Sequence, residues 1–175
     1  MPQPGDESAI CRYVVENRAH LEAMGPARPD EHSTEAHWAK QLPKMVEQHV
    51  AGIAARFFIT RLEAPGEIVG QANLFHILRE SFQSATLGYG VAAAHQGKGF
   101  ATEACDTLVR FAFDELNIHR VQAGHLPENL ASAAVLRKLG FTPEGYARDY
   151  LFFHGRWRDH VLTARTNPNW KPPVA

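Results

Sequence analysis

Apolar residues recur along this chain with two different periods, and each change of period marks a boundary between elements. Helical spacing puts Ile10, Val14, Val15 and Leu21 on one face of residues 8–22. The same spacing puts Trp38, Leu42, Met45, Val46 and Val50 on one face of residues 33–51. A break rich in proline and glycine, Gly25 to Pro29, separates the two predicted helices. Phe57 to Leu62 and Ile68 to Phe75 read as strands, and Ala64-Pro65-Gly66 between them predicts a hairpin turn. Thr86 to Val91 predicts a third strand. Ala101, Ala104, Cys105, Leu108, Ala112 and Leu116 then return to helical spacing over 100–116. A strand over Arg120 to Leu126 follows, and then a helix from Asn129 to Leu139 stopped by Gly140. Tyr146 to Phe153 and Trp157 to Ala164 flank a His154-Gly155 turn. The proline-rich stretch 167–175 predicts an irregular tail. A meander followed by alternating strands and helices and a terminal hairpin defines an α+β (α/β layered) fold, expected to form a single domain over 1–175.

Composition narrows the function classes. The 175 residues suffice for one domain with a real core, and the net charge of −1 supplies no field that would draw the chain onto nucleic acid or an anionic membrane. Cys11 and Cys105 form no redox or zinc motif, and two lone thiols suit a reducing cytoplasm. No signal peptide and no apolar run of membrane length is present. The ten histidines show no zinc-ligand spacing with cysteines or carboxylates, so no metal is expected.

The strongest chemical signal lies between the third strand and the third helix, at Gln96-Gly97-Lys98-Gly99-Phe100-Ala101-Thr102. A helix start leaves backbone N–H groups unpaired and carries partial positive charge. Glycines let that backbone approach a bulky anion, so a pyrophosphate is the natural guest. The loop is not a dinucleotide fingerprint, because Thr102 stands where the third glycine belongs and Arg120 and Val121 where the acidic residue belongs. It is not a Walker loop either, because Gly99 rather than Ser or Thr follows Lys98. An ordinary glycine-rich connection is the remaining alternative.

Gln96-Gly97-Lys98-Gly99-Phe100-Ala101 resembles the pyrophosphate loop of the GCN5-related N-acetyltransferase (GNAT) family. Asn129, Ser132, Leu136, Leu139, Gly140 and Phe141 resemble the Asn-x-x-Ser and Leu-Gly-Phe pattern that follows in that family. Glu144 to Tyr150, Trp157 to Leu162, Asn17-Arg18 and His20-Leu21 are similar to its RimJ-type branch, whose members acetylate the N-terminal alanine of a ribosomal protein. The resemblance spans roughly residues 16–170. It implies a mixed, mostly antiparallel central sheet with a splayed strand pair flanked by helices, and acetyl-CoA as donor. It implies a ribosomal-protein N-terminus as acceptor, the ribosome or its precursors as partners, and a monomer or homodimer in the cytoplasm. Family members carry a strand before the first helix. Here only Met1 to Glu7 precede it, so an uncovered sheet edge that invites self-association is expected.

The resemblance also assigns residues. Gln96, Gly97, Lys98, Gly99, Phe100, Ala101 and Thr102 would hold the pyrophosphate, and Leu87, Tyr89 and Val91 the pantetheine arm. Val91 N–H would face the carbonyl oxygen as charge develops. Asn129 would bond the cofactor arm, a role compatible with a plain helix N-cap. Many relatives place a tyrosine where Leu136 stands, so Ser132 is the expected acid for the leaving thiolate, against a hydroxyl that only bonds locally. Base candidates, acting through water, are Glu103, more readily explained by its place at a positive helix end, His76 and His125, and Asp149 and Tyr150 beside the terminal hairpin. Trp38, Asp149, Tyr150 and Trp157 would shape the acceptor groove, although an aromatic stripe also reads as core. The alternatives are a small-amine acetyltransferase of the same fold and a CoA-binding ribosome-assembly factor with little catalysis.

Overall fold

The computed structural model describes residues 1–172. One six-stranded sheet, in the order β1-β2-β3-β4-β6-β5, separates two helical layers. Its strands are β1 (Ala55–Arg61), β2 (Ala64–Leu78), β3 (Ser84–Val91), β4 (Arg120–His125), β5 (Thr142–Phe153) and β6 (Arg156–Thr166). Only the β3–β4 pair is parallel. The helices are α1 (Glu7–Ala23), α2 (Glu35–Val50), α3 (Phe100–Arg110) and α4 (Leu130–Lys138).

The period-two pattern of the strands feeds two cores. Leu74, Ala85, Leu87, Val121 and Ala123 face α3 and α4 and pack with Cys105, Leu108, Val109, Leu136, Leu139 and Phe141. On the opposite face, α1 and α2 bury Ile10, Tyr13, Val14, Trp38 and Leu42 over Ala92, with Phe58 and Ile68 beside them. Each fully buried Leu or Ile contributes about 1.5–3 kcal/mol of transfer free energy.

Three elements depart from the sequence reading. The β1–β2 turn is Leu62-Glu63, because Arg61 pairs with Ala64 and Thr60 with Ile68. Pro65 and Gly66 therefore fall in a bulge, where a missing N–H breaks no ladder bond. The helix predicted over 100–116 turns into a π turn at Phe111–Glu115, which keeps both Ala112 and Phe113 on the core side. The segment predicted as helix from 33 begins as a 3-10 turn, Asp30–Ser33, and α2 starts after the Thr34 cap, whose hydroxyl accepts from His37 N–H. The tail is irregular as far as Pro172, with residues 173–175 outside the described residues, yet it is pinned. Asn167 is buried and donates to the Phe113 and Ile118 carbonyls, and the Trp170 indole donates to Asn117 O. Among the described residues no strand precedes α1, and β1 has a partner on one edge only.

Candidate active site

β3 and β4 pair at only three positions, Ser84↔Arg120, Ala85↔Val121 and Thr86↔Gln122, and then diverge. Beyond Thr86 the two strands form a V. Strand geometry tells which groups face its opening, because backbone N–H and C=O groups point alternately to the two edges. Ala92 N–H bonds Val69 O of β2 at 2.8 Å, so the polar groups of Gly90 and Gly88 point to β2 as well. Those of Leu87, Tyr89 and Val91 point into the V, as a ladder-like grip on an extended amide-bearing arm requires.

At the open end of the V the chain turns through the glycine loop into α3. Gly97 has φ 72° and Gly99 φ 91°, the left-handed region that a side chain disfavours. A Cβ at either glycine would meet nothing within 4 Å, so backbone conformation rather than crowding demands glycine there. Gly99 caps α3 without any side-chain acceptor, which leaves the first-turn N–H groups for an anion. Gln96 and Lys98 are exposed on this turn. α1 holds the approach to it: Asn17 Oδ1 accepts from Ala93 N–H at 3.2 Å, and the Gln96 amide donates to His20 Nε2 at 2.9 Å.

Across the V, the side chain of Tyr89 reaches from β3 to the first turn of α4. Its hydroxyl lies 2.8 Å from Ser132 Oγ and 3.3 Å from Ser132 O. Burial raises the Tyr89 phenol above its ordinary pKa, and the Ser132 bond offsets part of that, so Tyr89 stays protonated throughout the neutral range. If Tyr89 donates to Ser132 Oγ, the serine's own proton is free to turn toward the V. Asn129 caps α4, its Oδ1 accepting from Ser132 N–H at 3.0 Å; this leaves its amide N–H₂ as a donor. Cys105 lies beneath, with its thiol pushed up to about 12 by burial, and is inert packing.

The remaining expected residues separate. Glu103 is exposed and lines a groove of about 700 Å³ between α3 and the β1 edge, with His49, Phe57 and Phe111. That groove is distinct from the Tyr89–Ser132 pair, and the geometry gives Glu103 the helix-end role rather than that of a base. Trp38 is 7% exposed and packs edge-on against Phe58, and its indole donates to His32 O at 2.9 Å. It is core behind the groove wall rather than a contact for the acceptor. His76 sits at φ 50° where the β2 register shifts, beside Phe75. His125 is buried, with Nδ1 2.8 Å from Leu126 O, and lines a cavity of about 380 Å³ with Phe141 and Pro143 behind α4.

The terminal hairpin keeps its expected exposure. Tyr150 and Trp157 are 47% and 57% exposed; Tyr150 packs on His160 and Trp157 on Phe152. Asp149 sits at φ 48° in a β5 bulge and donates its N–H to Asp159 Oδ1 at 2.9 Å. At the hairpin tip, His154 Nε2–H donates to the carbonyls of Glu22 and Gly25 at the end of α1, the latter at 2.9 Å. Arg158 pairs with Glu128 just before α4. Hairpin, α1 and the α4 approach are thus tied around the mouth of the V. The Tyr89–Ser132 contact and the His154 clasp are tertiary, and no spacing in the sequence announces either.

A parallel pair that splays open over a glycine-capped helix start defines a CoA-dependent acyltransferase site. The GNAT acetyltransferase-domain family model matches residues 2–142, and the chain belongs to that family, an acetyltransferase whose donor is acetyl-CoA. It is 39% identical over 167 residues to the Escherichia coli ribosomal protein uS5-alanine N-acetyltransferase, covering 95% of this chain and 86% of that one. The Vibrio fischeri ribosomal-protein-S5-alanine acetyltransferase structure superposes with a TM-score of 0.94 at 34% identity, covering 98% of this chain and 93% of that one. Mycobacterium smegmatis RimJ in complex with CoA-disulfide superposes at 0.86 with 31% identity, covering 94% and 79%. Among the described residues no helix is long and apolar enough to cross a membrane.

Proposed function

We propose that this acetyltransferase transfers the acetyl group of acetyl-CoA to the N-terminal α-amine of a ribosomal protein, with alanine as the acceptor residue, in the cytoplasm. The observation that carries the reading is the 39% identity to a uS5-alanine N-acetyltransferase along 95% of the chain. The chemistry fits the site. An α-amine has a pKa of about 8, so a useful fraction is neutral near pH 7 and a strong base is unnecessary. The amine nitrogen attacks the thioester carbonyl, the C–N bond forms and the C–S bond breaks. The ammonium proton leaves through water. Val91 N–H stabilises the developing oxyanion. Ser132 O–H, held in that orientation by Tyr89, gives its proton to the departing thiolate and regains one from the water that took up the ammonium proton, so one proton passes in net from amine to thiol. Gln96 to Thr102 hold the pyrophosphate, and Asn129 bonds the pantetheine arm. Tyr150, Trp157 and Asp149 line the acceptor approach.

The test is thiol release from acetyl-CoA with N-terminal peptides of ribosomal proteins, lysine peptides and polyamines in parallel. Turnover led by an alanine-starting peptide supports the proposal. Turnover confined to polyamines would move the acceptor to small amines, and CoA binding without turnover on any of them would indicate a non-catalytic assembly factor.

A further inference from the structure

Outside the acetyl-transfer site, the connection between α1 and α2 gathers three potential ligands that the reaction does not use. Glu31 and His32 lie on the 3-10 turn Asp30–Ser33, and His37 lies in the first turn of α2. One ligand atom from each lies within 4.8 Å of the other two. The imidazoles face each other with centroids 4.3 Å apart, and Glu31 Oε1 lies 3.8 Å from His37 Nδ1, too far for a hydrogen bond. The His37 side chain is only 10% exposed, yet its ring bonds no other side chain or carbonyl among the described residues.

The backbone beneath is fixed. Thr34 Oγ1 donates to Glu31 O at 2.7 Å and accepts from His37 N–H at 3.3 Å, and Trp38 Nε1 donates to His32 O at 2.9 Å. The backbone that carries the three ligands is therefore fixed before any ion arrives. Two charges oppose a cation, since both Arg28 and Arg18 face His32. Arg18 is already engaged by Asp30 Oδ1 at 2.7 Å and Glu22 Oε1 at 3.1 Å, and Glu22 also faces Arg28. With Glu31, the carboxylates here outnumber the guanidiniums.

We propose that Glu31, His32 and His37 form a binding site for one divalent transition-metal ion of the zinc class, peripheral to acetyl transfer. Two imidazoles and a carboxylate are the donors such ions prefer, and water completes the shell. Tetrahedral zinc holds its ligand atoms about 3.3 Å apart. The three ligand atoms lie within 4.8 Å of one another, and Glu31, the most exposed of the three, can rotate toward the imidazoles. The ion would staple the α1–α2 connection to the first turn of α2 and fix Trp38 behind the acceptor wall.

The test uses full-length protein freed of metal by chelation and titrated calorimetrically with Zn²⁺, with Co²⁺ absorption as a second readout. The wild type should bind one equivalent. Glu31→Gln should weaken binding about tenfold and His37→Gln at least about a hundredfold, with ligand-field absorption of Co²⁺ lost in His32→Gln. CoA affinity should stay unchanged in all three. Glu31 is 67% exposed on its side chain, so its variant probes the site without disturbing the core. Absence of one-equivalent binding in the wild type, or wild-type affinity in His37→Gln or His32→Gln, would overturn the assignment and leave the His32–His37 pair as packing around Trp38.

Discussion

The donor half of the site and the acceptor half are built by different means. The donor half comprises β3, the glycine loop, α3 and the first turn of α4. In the proposed function its grip would come mostly from backbone, through the N–H and C=O groups of Leu87, Tyr89 and Val91, which are not hydrogen-bonded to β2, and the start of α3, which no side chain caps. The acceptor half comprises α1, α2 and the β5–β6 hairpin. There the elements are tied by contacts that span more than a hundred residues, such as His154 Nε2–H on the backbone carbonyls of Glu22 and Gly25. A cofactor that never changes can be held by backbone geometry, whereas an acceptor that differs between relatives is held by parts that can be exchanged.

If the halves are separable, variants in one should spare the other. Gly99→Asp forces a side chain into φ 91° and places a carboxylate against the pyrophosphate. The strain alone costs about 1–2 kcal/mol, and with repulsion CoA affinity should fall at least about thirtyfold by calorimetry. Apparent acceptor KM should stay within about twofold at saturating donor. Tyr89→Phe removes the hydrogen bond that orients Ser132, worth about 0.5–1.5 kcal/mol. We expect kcat to drop by up to about tenfold with acetyl-CoA KM unchanged, and no additional loss from Tyr89→Phe when Ser132 is already alanine.

Smaller effects should appear on the acceptor side. Tyr150→Ala and Trp157→Ala truncate exposed rings, so stability should change little while peptide KM rises several-fold, by about 1 kcal/mol each. CoA affinity measured on the same variants should not move. The smallest effect concerns pH. Asp159 is held below its ordinary pKa by Asp149 N–H and the Tyr146 hydroxyl. A depressed carboxylate stabilises the fold above its unfolded pKa of about 3.9 and loses that contribution as pH falls through its folded value. Thermal melts between pH 3 and 5 should therefore show a shallower acid loss in Asp159→Asn than in wild type.

The same division explains what the sequence revealed. The glycine loop, the Asn129 cap and the α3 stripe are contiguous or one helical turn apart, so local rules find them. The His154-Gly155 turn was legible for the same reason, with both φ angles positive. Trp38 was misread because an apolar stripe on α2 does not say whether it faces a groove or a core; packing against Phe58 decided for core. Glu103 carried two readings because its helix position is fixed by sequence, but the groove it faces depends on where β1 lies. The Pro65-Gly66 turn failed because a register shift, set by cross-strand pairing, moved the reversal to Leu62-Glu63. Glu31, His32 and His37 leave no pattern in the sequence because a 3-10 turn and a helix cap, rather than a regular spacing, bring them together.

The central claim is that transfer occurs in the V between β3 and β4, with Ser132 protonating the thiolate. The most direct measurement is the steady-state rate of Ser132→Ala on an alanine-starting ribosomal-protein peptide, with thiol and acetyl-peptide counted together. The account predicts a fall in kcat of about a hundredfold, in the range of a lost general acid, with acetyl-CoA KM little changed. An unchanged kcat, or a loss confined to acetyl-CoA KM, would contradict it and make Ser132 a cofactor contact only.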